Sequence, residues 1–153
     1  MKKLVAVMLL GIAILGTTSA QNLKSDGLQG KVHTLEEETW GLTLMIGEYV
    51  KNKLLNKTIS IYDAKGNDTE WAKYDADGSL NEKYISTYDD KGNMTERASY
   101  KADGSLAWKD IYTYEYDKFG NWTKKIISAE VSKFGKVYLE LQGVTIRTIT
   151  YYP

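Results

Sequence analysis

Residues 62–93 read YDAKGNDTEWAKYDADGSLNEKYISTYDDKGN, with Tyr-Asp-x-x-Gly at Tyr62–Gly66, Tyr74–Gly78 and Tyr88–Gly92. Aspartate at the first position of a type I turn caps it with its carboxylate. Glycine three residues later supplies the left-handed conformation of a bulge. Together they make the three-residue hairpin connection, so each copy predicts a strand reversal. The intervening segments are rich in Thr, Ile, Tyr and Trp, which suit a pleated surface.

The pattern continues outward through Lys101–Gly104 and Asp117–Gly120, with a weaker sixth copy at Ser132–Gly135. Successive glycines are 12, 14, 12, 16 and 15 residues apart, and Tyr62, Tyr74, Tyr88, Tyr100 and Tyr116 precede the first five turns. Two turn flavours alternate. Gly66, Gly92 and Gly120 are followed by Asn and then by Thr69, Thr95 and Thr123, whereas Gly78 and Gly104 are followed by Ser-Leu. The expected turn residues are Asp63, Gly66, Asp75, Gly78, Asp89, Gly92, Gly104, Asp117 and Gly120. The predicted fold is all-β: an antiparallel meander of about ten strands, twisted and curled into a half-barrel or barrel-like sheet. It opens with a strand from Gly30 to Trp40 and closes with a pair at Val137–Leu141 and Val144–Tyr152. The stretch 42–55 reads as strand more than as helix.

The first segment has a different character. Met1-Lys2-Lys3 is a positive n-region, Leu4–Leu15 an apolar core and Thr18-Ser19-Ala20 a small-residue cleavage site. This predicts a signal peptide over 1–20, removed on export. The apolar core is too short to span a bilayer, which takes about 20 residues. A loose leader over 21–29 and a single β-repeat domain over 30–153 follow, with the repeat core at 57–131. The expected location is periplasmic or extracellular, with no membrane insertion after the signal peptide is removed.

Composition excludes much chemistry. The chain of 153 residues has no cysteine and one histidine, so thiol catalysis, disulfides and multi-histidine metal sites fall away. It balances 20 basic against 20 acidic residues, which gives no reason to expect a nucleic-acid partner. No cofactor is expected.

A one-to-one register carried from the turns divides the side chains between two faces. One face takes Tyr62, Tyr74, Tyr84, Tyr88, Tyr100, Trp108, Tyr112, Tyr114, Tyr116 and Trp122, together with the acids Glu70, Glu82, Glu96 and Asp110. The other takes Ile59, Ile61, Trp71, Lys73, Ile85, Arg97, Lys125 and Ile127. In this register Glu96 directly opposes Asp110. Such a like-charge pair raises one carboxyl pKa and is how a glycosidase-type acid/base pair is built.

The Tyr-Asp-x-x-Gly copies, with Tyr-Lys-x-x-Gly at 100–104, resemble the YD repeats of Rhs-type proteins. The resemblance covers about residues 57–131. It implies hairpins joined into a long curling sheet, and it brings no catalytic residues. This chain is too short to close the hollow shell of the large members, and Asn follows Gly where Arg is common. It looks more like small exported bacterial β-repeat proteins of unassigned role.

Other motifs have plainer explanations. Asp75-Ala76-Asp77-Gly78-Ser79 looks like the start of a calcium loop, but the next copy begins with Lys101, so turn capping is favoured. The Asn-x-Thr triplets at 56, 67, 93 and 121 match the glycosylation pattern, but the last three fall at one repeat position, where Asn after the turn glycine and Thr on the strand explain them directly. Glu36-Glu37-Glu38 near His33 reads as a solvated strand edge.

The expected function is that of an exported, non-catalytic protein, structural or ligand-binding, at the bacterial cell envelope. The first alternative is a glycan-binding module with a platform of Tyr84, Trp108, Tyr112 and Tyr114. The second is a hydrolase using carboxylates on the aromatic face, and a further one is assembly through exposed edge strands. Carbohydrate or another envelope protein is the expected partner. The oligomeric state is left open.

Overall fold

The computed structural model describes residues 23–24 and 26–152; the expected signal peptide lies outside them. Eight strands form one antiparallel sheet in chain order: β1 (Thr34–Met45), β2 (Glu48–Tyr62), β3 (Asp68–Asp75), β4 (Leu80–Tyr88), β5 (Met94–Lys101), β6 (Leu106–Tyr116), β7 (Trp122–Lys133) and β8 (Lys136–Ile146). The described residues contain no helix. The sheet does not close, because β1 and β8 each pair with a single neighbour. Every strand contacts only its sheet neighbours, so no second layer of strands or helices covers either face among the described residues. Flanking segments touch one face, where Asp26 accepts from Tyr62 and Arg147 lies over the Trp122 ring.

The count is eight rather than about ten for two local reasons. The stretch 42–55 is the β1–β2 hairpin, turning at Ile46-Gly47, and β2 then runs unbroken through Asn56 to Tyr62. The expected closing pair is one strand, because Gln142-Gly143 forms a bulge against Ile127 and Ser128 instead of a turn.

Five hairpin turns repeat one geometry. In each, the glycine N–H donates to the carbonyl three residues back, as Gly66 does to Asp63 at 3.0 Å and Gly104 to Lys101 at 2.9 Å. The five glycines have φ between +80° and +86°, where a Cβ is strained. The flavours cap differently. Asp63 Oδ1 accepts from the N–H groups of Lys65 and Asn67 at 2.8 and 2.9 Å, and Asp89 and Asp117 repeat this. In the Gly-Ser turns the third residue caps instead: Asp77 accepts from Ser79 N at 2.9 Å and Asp103 from Ser105 N at 2.8 Å. The first position is then free of capping duty, which explains why Lys101 can stand where Asp75 does.

The register departs from the one-to-one expectation in every hairpin. Tyr62 opposes Asp68 but Ile61 opposes Glu70, so Thr69 is an extra residue. Asn81, Thr95, Ala107 and Thr123 are extra in the same way, each three residues past its turn glycine. Such a bulge shifts the rest of the strand by one residue and exchanges its faces. In two Gly-Asn turns the extra threonine anchors itself, with Thr69 Oγ1 donating to Ile61 O at 3.1 Å and Thr123 Oγ1 to Glu115 O at 3.3 Å.

The faces are therefore corrected on β3, β5 and β7. Cross-strand partners run Ser60–Trp71–Tyr84–Ser99–Trp108 on one face, which also takes Tyr62, Tyr88, Arg97, Asp110, Tyr112 and Ile127. Glu70, Tyr74, Glu96, Tyr100 and Ile126 move to the other face. There the acids meet lysines: Lys83–Glu70 at 2.7 Å and Lys109–Glu96 at 3.0 Å. The expected separation of acids from lysines by face does not occur.

Candidate functional site: the aromatic face

The bulges bring Trp71 of β3 into line with Tyr84 of β4 and Trp108 of β6. Ring centroids are 5.6 Å apart for Trp71–Tyr84 and 5.9 Å for Tyr84–Trp108. Ser60 and Ser99 occupy the same cross-strand row and are buried. Their small side chains leave room for the large rings beside them. Trp108 remains 39% exposed at one end of the row. Beside it, Asn81, Glu82, Ser99, Lys101 and Ala107 line a shallow groove of about 410 Å³. Tyr84 donates to Glu82, which holds the ring and lines the groove with carboxylate.

Arg97 lies under the row. Its guanidinium sits 4.6 Å from the Tyr84 ring centroid, a cation–π contact. Across the β5–β6 pair it opposes Asp110. Its Nε is buried without a hydrogen-bond partner, as is Oδ1 of Asp68. Both line a cavity of about 10 Å³ with Trp71, Tyr84, Ser86, Tyr88 and Met94. That volume is about what one water occupies. Burial pushes the Asp68 carboxyl up to about 6; the Asp26 charge adds to the rise and Arg97 opposes it. Burial also raises Asp110, against a hydrogen bond from Tyr112 and the charge of Arg97.

The expected platform residues separate into two groups. Tyr84 and Trp108 are neighbours in the row. Tyr112 is on the same face but buried, with its hydroxyl pushed up by burial and the Asp110 charge. Tyr114 belongs to a second cluster, 6.2 Å from Tyr116 and 5.9 Å from Trp122, and its hydroxyl donates to Met94 O at 2.8 Å. Trp71 and Arg97, assigned from sequence to the opposite face, are the members that reasoning missed. The signal that finds them is the extra residue three positions past each turn glycine.

The like-charge pair Glu96/Asp110 does not form: Glu96 opposes Ile111, and Asp110 opposes Arg97. No group of three or more His, Asp or Glu side chains is arranged to hold a metal among the described residues. The turn residues Asp63, Asp89 and Asp117 have architectural partners. Burial works against ionisation of Asp63 and Asp89, but hydrogen bonds led by Asn67 and Tyr116 outweigh it and hold both carboxyls below the usual range.

Compared with protein-family models, curated proteins and solved structures, this chain matches none.

Proposed function

We propose that the chain is an exported, non-catalytic β-repeat protein of the YD-repeat type, acting at the bacterial cell envelope, whose aromatic face binds carbohydrate. The observation that carries this reading is the row Trp71–Tyr84–Trp108 on a sheet face without a second layer. Aromatic faces take the apolar C–H faces of pyranose rings, and nearby polar groups bond the sugar hydroxyls. Glu82, Asn81 and Lys101 supply such groups in the groove beside Trp108.

The sheet is expected to curl around this face, as the repeat resemblance implies. A hydrolase would need two carboxyls set about one substrate site. Glu96 and Asp110 lie on opposite faces, Asp110 faces Arg97, and Glu82 is bonded by Tyr84, so binding is the favoured reading.

The test is a titration of tryptophan fluorescence and of binding heat with a panel of soluble oligosaccharides. At least one should shift the emission saturably. Trp108→Ala should weaken that binding about tenfold, the equivalent of about 1.4 kcal/mol. The ring also packs on Tyr84, so thermal stability should fall too, and binding is compared at a temperature where both proteins are folded. A flat response across the panel, or Trp108→Ala binding as tightly as the parent, refutes the reading.

A further inference from the structure

The two edges of the sheet are built differently. On β1 the free edge carries Glu36, Glu37 and Glu38, and two register shifts follow at Thr39/Trp40 and Trp40/Leu42. Charge and bulges are the devices that keep an edge from pairing with another chain. The β8 edge runs straight from Lys136 to Leu141 before its bulge, and Val137, Leu139 and Leu141 there are 63%, 59% and 67% exposed.

The hairpin geometry says which main-chain groups are free. Lys133 and Lys136 close a two-residue turn whose Phe134 and Gly135 both have positive φ. In such a turn the closing pair exchanges both main-chain hydrogen bonds. Alternation then commits Tyr138 and Glu140 to β7 and points the N–H and C=O groups of Val137, Leu139 and Leu141 outward.

We propose that this edge pairs antiparallel with the β8 of a second copy of the chain, about a two-fold axis at Tyr138. Val137 then opposes Leu139 of the second copy, so outward groups meet outward groups and aliphatic side chains meet on one face. On the other face Lys136 opposes Glu140 of the second copy, twice by symmetry. Charge selects this register. An axis at Leu139 opposes Lys136 to Gln142 and Tyr138 to Glu140, with no ion pair. An axis at Glu140 sets the two glutamates against each other, which is repulsive. Lys136 also has a need that the pairing meets. It faces Lys133 across its own hairpin, and Glu140 is bridged by Lys133, leaving Lys136 with no carboxylate in ion-pair range among the described residues.

Sedimentation of the purified protein over a wide concentration range tests this. The expected result is a reversible, closed species of twice the chain mass. Lys136→Glu places like charges opposite each other twice across the axis, and should weaken the dimer at least tenfold. Within one chain it meets Lys133, so the hairpin itself gains an attraction. The double variant Lys136→Glu/Glu140→Lys restores opposite charges across the axis, and should recover the dimer to within a few-fold of the parent. A monomer at every concentration overturns the proposal. So does a dimer indifferent to Lys136→Glu, or open-ended growth of mass, which indicates β8 pairing with β1 of the next copy.

Discussion

Replacing Asp68 by asparagine tests how the aromatic face is held. Asp68 is 6% exposed, lies beside Arg97 and has Oδ1 without a hydrogen-bond partner. Its carboxyl is raised from 3.8 to about 6, which at 1.36 kcal/mol per unit amounts to about 3 kcal/mol against ionisation in the fold. The folded state therefore holds this proton in a window, between about pH 4 and about pH 6, where the unfolded chain has released it. Stability contributed by this group falls as pH rises through that window, and the loss is complete above about pH 7. Asp68→Asn keeps the size and removes the titration. Arg97 still faces Asp110 across the strand pair. Urea unfolding followed by tryptophan fluorescence, at steps from about pH 4 to about pH 8, should show the parent losing stability relative to the variant as pH rises. The crossover should leave Asp68→Asn more stable at neutral pH by about 1–3 kcal/mol. Parallel profiles, or a variant less stable than the parent at every pH, would mean that Arg97 holds Asp68 ionised throughout, and the account of the buried pair would be wrong.

Two backbone predictions follow from the turns. Gly66→Ala and Gly78→Ala meet the same strain, at φ +86° and +84°, but a Cβ at Gly66 comes within 3.0 Å of Leu23 Cδ1 whereas nothing lies within 4 Å at Gly78. Thermal unfolding should show Gly78→Ala destabilised by about 1 kcal/mol and Gly66→Ala by more; equal losses would refute close packing of the Leu23 side chain on that turn. Ile46 holds φ +50° at the tip of the β1–β2 hairpin with its side chain fully exposed. A β-branched residue is strained there, so Ile46→Asn should stabilise by about 1 kcal/mol, and a loss of stability would count against that turn geometry.

What could be read from the sequence depended on parity. The repeat from Tyr62 to Tyr88 is 26 residues, an even number, so β2 and β4 present the same alternation. The bulge omitted after one turn is cancelled by the bulge omitted after the next. Tyr84, Trp108, Tyr112 and Tyr114 therefore fall on their true face, because β4 and β6 lie two and four turns from β2, an even number in each case. On β3, β5 and β7 one uncancelled residue exchanged Trp71 for Glu70 and Arg97 for Glu96. The glycine that opens the first bulge of each turn is visible as a residue type. The second bulge falls on threonine in the Gly-Asn turns, at Thr69, Thr95 and Thr123, but on Asn81 and Ala107 in the Gly-Ser turns, so residue type marks it in one flavour alone. Constant distance from the glycine marks all five.

The tyrosines then separate by what their hydroxyls do. Along the edge with the Gly-Asn turns, each repeat reaches back to the previous turn. Tyr88 donates to Asp68 O at 2.8 Å, Tyr114 to Met94 O at 2.8 Å, and Tyr116 to Asp89 Oδ2 at 2.5 Å. Tyr151 reaches Asp117 in the same way, and Lys65 Nζ donates to Asp90 O at 3.0 Å. These bonds connect turn to turn and give a single-layer sheet a stiffness that it does not get from a second layer. The Gly-Ser turns on the opposite edge are self-contained, with Asp77 bonded to Ser79 by both main chain and hydroxyl. Trp108 and the groove beside it lie towards that unstitched edge, next to Lys101 and Ala102. A ring whose polar atom clamps a neighbouring turn has little left to offer a ligand. Trp71 and Trp108 have no such duty, and the carbohydrate reading rests on these rings rather than on the tyrosines that dominate the composition.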